Sequence, residues 1–137
     1  MSDLVKQARS LLAASSDVTD IVSTRISALF REEGDALPSI GIDVASVDPD
    51  AGTGLSGTAS MIRGALTITC FAETLAICID LAQKSAAALG GQRGLNADGD
   101  AFAVAANISV DSVSAALGGG ASGPFSIDVE AELYLEV

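Results

Sequence analysis

MIRGALTITCFAETLAICIDLAQKSAAALGG, residues 61–91, holds a change of hydrophobic period that sets the architecture of the chain. Ile62, Gly64, Leu66, Ile68 and Cys70 alternate with Arg63, Ala65, Thr67 and Thr69. A period of two buries one face of a strand. The change to a 3.6-residue period after Phe71-Ala72 marks a helix that folds back over it. The helical pattern runs from Glu73 to Leu89, with Leu75, Ile79, Ala82, Ala86 and Leu89 as the expected buried stripe. Asp80 and Lys84 are spaced to pair at i,i+4, and Gly90-Gly91 ends the helix. This unit carries no catalytic motif; it builds a scaffold.

Upstream, Leu4, Val5, Ala8, Leu11 and Leu12 share one helical face, with Ser2 or Asp3 as cap, and Ser15-Ser16 breaks the helix. A second short helix is expected from Asp17, capped by Ser16 or Asp17, with Val18, Ile21 and Val22 inward. Arg25 to Arg31 reads as a first strand, followed by the acidic turn Glu32-Glu33-Gly34-Asp35. Leu37-Pro38 sets an extended lead into a second strand with Ile40, Ile42 and Val44 on one face. A Gly-, Asp-, Ser- and Thr-rich loop from Asp48 to Ser60 makes strands two and three a long hairpin. A loop of that length is commonly functional or mobile.

Downstream, Phe102, Val104, Ala106, Ile108 and Val110 alternate as a fourth strand, and Gly118-Gly119-Gly120 with Gly123-Pro124 reads as a connection. The last strand has the cleanest pattern: Ile127, Val129, Ala131, Leu133 and Leu135 point one way, Asp128, Glu130, Glu132, Tyr134 and Glu136 the other. The expected architecture is α+β: a single domain over residues 1–137, with an antiparallel or mixed sheet of four to five strands and helices packed on one face.

Composition limits the function. The chain has 137 residues, 49% of them hydrophobic but only 4% aromatic and none of them Trp, so the core is built from Ala, Val, Ile and Leu. Mean hydropathy is +0.46. Asp80, Gln83 and Lys84 interrupt the most apolar helix, so no membrane span is expected. The first residues lack a basic region before an apolar core, and no leader is expected there. Apolar excess without a membrane segment points to surface buried between subunits. With 18 acidic and 7 basic residues the net charge is −11, which repels DNA; this suits a conduit through which DNA slides, or simply keeps the protein soluble.

Without any His, no Ser-His-Asp or Cys-His arrangement exists. Gly54-Leu55-Ser56-Gly57 lacks the base and following helix of a nucleophile elbow, and Gly118-Gly119-Gly120 lacks the ending of a phosphate loop. Asp48 with Asp50, and Asn96 with Asp98 and Asp100, are candidate cation ligands, but the second run has its Gly misplaced for an EF-hand and Asn107 where the closing Glu belongs. Both read better as solvated turns. A carboxylate pair for glycoside chemistry lacks the aromatic platform that a sugar needs. Cys70 and Cys78 read as small buried hydrophobes in a reducing compartment, with a disulfide between them as the alternative. No enzyme activity, cofactor or metal is expected.

The order of elements resembles a family. Val22-Ser23-Thr24-Arg25-Ile26 closes the second helix and opens the first strand, and Leu37-Pro38-Ser39-Ile40 opens the second. Arg63 precedes an alternating strand that ends Cys70-Phe71-Ala72 and passes directly into a long helix, and a final strand closes the chain. Over nearly all of its length this layout resembles the tail terminator, or tail completion, proteins of long-tailed bacteriophages and related gene transfer particles. The resemblance implies a virion protein assembled in the host cytoplasm, without catalytic residues. In the family such a protein forms a ring, usually of six subunits, that seats on the last ring of the tail tube, stops its growth and meets the head-side connector. The implied partners are other copies of the chain, the tail tube protein and the connector or adaptor; DNA passes without specific binding. On this reading the loop residues Asp48, Asp50, Gly52, Thr53, Leu55, Ser56 and Thr58 order on the tube or a neighbour. The stripe of Asp128, Glu130, Glu132 and Glu136 either lines the channel or faces outward. The alternatives are another neck component such as a head–tail joining protein, and a small cytoplasmic regulatory domain with a ligand between sheet and helix.

Overall fold

The structure is a computed structural model that describes residues 3–28, 37–48, 61–96, 99–118 and 124–136. In chain order these form α1 (Asp3–Ala14), α2 (Ser16–Val22), β1 (Ile26–Ala28), β2 (Ser39–Asp48), β3 (Met61–Ala72), α3 (Leu75–Leu89), β4 (Arg93–Leu95), β5 (Ala101–Ile108), α4 (Val110–Gly118) and β6 (Phe125–Glu136). The strands make one mixed sheet in the order β1-β2-β3-β6-β5-β4, with β1 parallel to β2 and every other pair antiparallel.

The expected α+β class holds, but the sheet has six strands, not four or five. Among the described residues β1 and β4 are its edges. The last strand sits in the middle. β6 pairs with β3 from Met61↔Glu136 to Ala72↔Phe125 and with β5 from Phe102↔Leu135 to Ile108↔Val129. It therefore joins the β1-β2-β3 half of the sheet to the β5-β4 half.

One face of this sheet and the helices share a single core. Ile127, Val129, Ala131, Leu133 and Leu135 of β6 are all buried there, with Leu66, Ile68 and Cys70 of β3 and Ile40 and Ile42 of β2. α1 adds Leu4, Val5, Ala8 and Leu12, and α2 adds Val18 and Val22. Each fully buried Leu, Ile or Val contributes roughly 1.5–3 kcal/mol from water exclusion, so this cluster dominates the stability. α1 approaches β3 closely at Gly64: a methyl group added there would strike the Leu4 side chain, whose Cγ lies 3.3 Å from the added carbon.

Several elements depart from the sequence reading. α2 is capped at Ser15, without a side-chain cap bond, rather than at Ser16 or Asp17. The described part of the first strand is Ile26–Ala28, residues 29–36 lying outside the described residues. The Leu37–Pro38 peptide is cis. α3 starts at Leu75 behind Thr74, whose hydroxyl accepts the Ile77 N–H at 3.3 Å, and Gly91 takes the positive φ that ends it.

The buried stripe of α3 is Cys78, Leu81, Ala82, Ser85 and Leu89, while Leu75, Ile79 and Ala86 are only partly buried. The helix is apolar around most of its circumference, so periodicity fixes its phase poorly. Ser85 goes inside because its hydroxyl receives the Cys70 thiol at 3.7 Å. The Asp80–Lys84 pair forms at 3.1 Å as expected. Val110 is not in the fourth strand: Ser109 accepts the Ser112 N–H at 3.3 Å and starts α4, leaving Val110 76% exposed.

Candidate interaction face

The helices bury their apolar residues against one face of the sheet only; the other face carries small and charged side chains across its centre, with Tyr134 and Phe71 nearer its ends. Its composition follows from strand alternation: each residue across β3 and β6 from the core set points to the far side. The register lays these residues in rows across the sheet. One row is Asp43, Thr67, Glu130 and Asn107; the next is Ser46, Ala65, Glu132 and Ala105. Small residues on β3 and β5 flank the carboxylates of β6. The result is a shallow trough of about 380 Å³, floored by Ala65, Thr67 and Ala105 and walled by Glu130 and Glu132.

A β-bulge extends this face. The β2–β3 register shifts between Val44 and Ser46, so Ala45 is the extra residue and the alternation changes phase. Ile40, Ile42 and Val44 pair with core-facing residues of β3; beyond the bulge Ser46 pairs with Ala65 and Asp48 with Arg63, both on the outer face. Asp48 therefore ends a strand, opposite a cation, rather than starting a free loop. No signal in the composition announced the bulge.

Arg63 is the cation amid these carboxylates. The Tyr134 hydroxyl, hydrogen-bonded to it across the ladder, together with the charges of Glu132 and Asp48, holds its guanidinium above its ordinary pKa, against a smaller opposing effect of burial. It stays protonated at every accessible pH and offsets part of the negative field. Further along, Thr69 donates to Asp128 Oδ1 at 2.9 Å across the same ladder, fixing that carboxylate on the sheet surface. The Asp128 backbone is held from the other direction: its N–H donates to Ser112 Oγ at 3.0 Å, and its carbonyl accepts the Ser109 N–H at 2.9 Å.

Of the acidic stripe expected from the sequence, Glu130 and Glu132 are exposed and Asp128 is partly buried. Glu136 is a correction: it is only 8% exposed. Its register places Met61 directly across and Tyr134 lies two residues before it, both large side chains, and it makes an interaction within the fold. The stripe is thus three carboxylates long. Of the hairpin candidates only Asp48 is described; Asp50, Gly52, Thr53, Leu55, Ser56 and Thr58 lie outside the described residues, as does the Gly54–Gly57 run. The structure therefore places Asp48 and the β6 carboxylates on one face.

The remaining candidates take structural roles. Asn96 Oδ1 accepts the Asp100 N–H at 2.9 Å and the Asn96 N–H donates to the Asp100 carbonyl at 2.9 Å, which makes a closed turn; Asp98 lies outside the described residues. Among the described residues no three metal-ligating side chains cluster. Cys70 and Cys78 are free thiols in the core, not a disulfide, and the Cys78 thiol donates to the Cys70 carbonyl at 3.2 Å. Burial pushes the Cys70 thiol up to about 12 and the Cys78 thiol to about 11, so neither is a nucleophile at neutral pH. The space between sheet and helices is filled by Leu12, Leu81, Leu89 and Leu133, so a ligand there would have to open the core. No helix among the described residues is long and apolar enough to cross a membrane.

Comparison with models of known protein families finds none that matches, and comparison with curated proteins finds no match either.

Proposed function

We propose that the chain is a non-enzymatic structural subunit of a virion neck, which forms a ring on the end of a phage-type tail tube. The ring stops tube polymerisation and offers its other side to the head-side connector. The observation that carries this reading is the division of labour in the sheet. One face builds the whole core, and the other, four strands wide, is left without helices, its centre a surface of small residues and carboxylates with Arg63 and Tyr134 alongside. A domain with so much uncovered regular sheet surface is suited to meeting other proteins. The net charge of −11 suits a collar through which DNA moves without adhering.

The β2–β3 hairpin supplies the second support. Its ladder stays paired as far as Asp48↔Arg63, so residues 49–60 connect two strands at one end of the sheet. Such a segment is well placed to reach a tube or a neighbouring copy, with Asp48 at its root. The subunit assembles in the host cytoplasm before it joins the particle.

Tail length in a strain lacking the gene tests this role. Overlong tubes are expected; tails of normal length without heads would assign the chain to head–tail joining instead. Deleting Ala51–Thr58 should leave a folded subunit that cannot cap tubes, and particles with normal, DNA-retaining tails would count against a role for the hairpin.

A further inference from the structure

Two of the chain's seven basic residues, Lys6 and Arg9, stand together on the outward face of α1, both exposed. Neither has an ion-pair partner among the described residues. Ser10 and Ala13 lie beside them, also exposed, and the four side chains border a concavity of about 490 Å³. Because α1 covers the core face of the sheet, this patch is on the opposite side of the domain from Glu130 and Glu132. Residues three apart on a helix have Cβ atoms roughly 5–6 Å apart. Residues two apart on a strand are separated by roughly 6.5 Å. The two cations of α1 therefore match the two carboxylates of β6 in spacing and in sign. The small residues on both sides, Ser10 and Ala13 against Ala65 and Ala105, allow close approach of a helix to a sheet.

We propose that copies of this chain associate head to tail, the outward face of α1 in one copy seating on the helix-free sheet face of the next. Lys6 and Arg9 reach Glu130 and Glu132 across the contact. The two surfaces differ, so a pair of copies leaves one of each unused, and the assembly is heterologous: it closes into a ring where the rotation per copy divides a full turn. Asp43 and Asp128 add to the negative field of the sheet face and Arg63 opposes it. Asp17 and Asp20 of α2 are exposed one helix away from the basic patch, which sets the register of the contact by repulsion. The contact takes Glu130 and Glu132 off any channel wall. It concerns the purified chain alone, so it can stand or fall separately from tube capping.

The test is disulfide trapping between copies of the full chain carrying Ser10→Cys and Ala105→Cys, the native thiols being buried. At low ionic strength, oxidation should give a ladder of cross-linked oligomers, suppressed when salt shortens the electrostatic range to a few ångströms. Adding Lys6→Glu/Arg9→Glu, or Glu130→Lys/Glu132→Lys, should slow trapping at least about tenfold, since like charges then face each other. Mixing the two charge-reversed chains should restore it, which also shows that both are folded. Trapping no faster than in a control with Gln83→Cys in place of Ser10→Cys would overturn the proposal. So would charge-reversed chains that trap like the parent, or that fail to rescue each other when mixed. Loss with the glutamate reversals alone would also overturn it, by assigning the sheet face to a different basic partner.

Discussion

Gly64 is where β3, the inner strand of the hairpin, meets the first helix, and replacing it tests how tightly the helix layer sits on the sheet. A methyl group at Gly64 strikes the Leu4 side chain, which is 3% exposed and has no solvent to retreat into. Adding a methylene-sized group to a packed core costs about 1–3 kcal/mol. Replacing Gly by Ala inside a strand returns about 0.5–1 kcal/mol. Gly64→Ala should therefore lose about 1 kcal/mol net, or about 3–5 °C in Tm for a domain of this size. Leu4→Ala should cost about 2–3 kcal/mol, at the lower end for a buried Leu because the first turn of α1 can settle into the gap. The double variant should lose about 1 kcal/mol less than the sum, since the new methyl group occupies space that Leu4 vacates. Urea unfolding of the four proteins gives the coupling. Additive losses to within about 0.3 kcal/mol, or a Gly64→Ala protein more stable than the parent, would refute the close approach of α1 to β3.

Three further outcomes follow from the geometry. The buried thiols make stability fall in alkali: unfolded thiols ionise near 9.0, whereas folded Cys78 and Cys70 hold their protons to about 11 and about 12. Their contribution is complete below pH 9 and is lost as pH rises through 11–12, at about 1.4 kcal/mol per pH unit for each thiol. A Cys70→Ala/Cys78→Ala chain should have a visibly flatter stability profile above pH 9, and equal slopes would contradict this. Arg25 donates from Nε to the Pro38 carbonyl at 2.8 Å and from the terminal guanidinium nitrogen to the Ile21 carbonyl at 3.3 Å, tying α2 to the start of β2. Arg25→Ala should cost about 1.5–3 kcal/mol in chemical unfolding, and a loss below 0.5 kcal/mol would show the tie to be idle. Thr74→Ala should lower stability by about 1 kcal/mol and Thr74→Ser much less, because only the alanine removes the cap acceptor for Ile77.

Much of the fold was legible because strong alternation survives in the sequence. β3 and β6 carry their apolar residues at every second position over their central stretches, and both are strands with that face buried. α1 reads as cleanly, since Leu4, Val5, Ala8 and Leu12 lie on one buried side of the helix with Leu11 at its margin, while Lys6, Arg9 and Ser10 face out. α3 was harder: with apolar residues nearly all round, its phase is set by what it meets, namely the Cys70 thiol that takes Ser85 as partner. Val110 continued the β5 alternation by coincidence, and the Ser109 cap overrode it. Edge strand β4 is three residues with a central Gly, too short for any periodic signal.

The surface was read only in part. The stripe of carboxylates on β6 follows from alternation alone, but its end at Glu136 depends on Met61 lying across the ladder, a pairing between residues 75 apart in number. The bulge at Ala45 is invisible in the sequence, and it moves Asp48 onto the outer face opposite Arg63. The proximity of Lys6 and Arg9 on one turn of α1 could have been seen from their spacing. Its meaning could not, because only the sheet order puts those cations and the β6 carboxylates on opposite sides of one domain.

Capping itself is the most direct test of the proposed role. Purified chain is added in excess to cognate tail-tube subunits that polymerise on their own, and tube ends and lengths are followed by electron microscopy. A collar of this chain is expected on one end of each tube, with growth that stops when it binds. Tubes that keep lengthening with bare ends at saturating concentrations would contradict it.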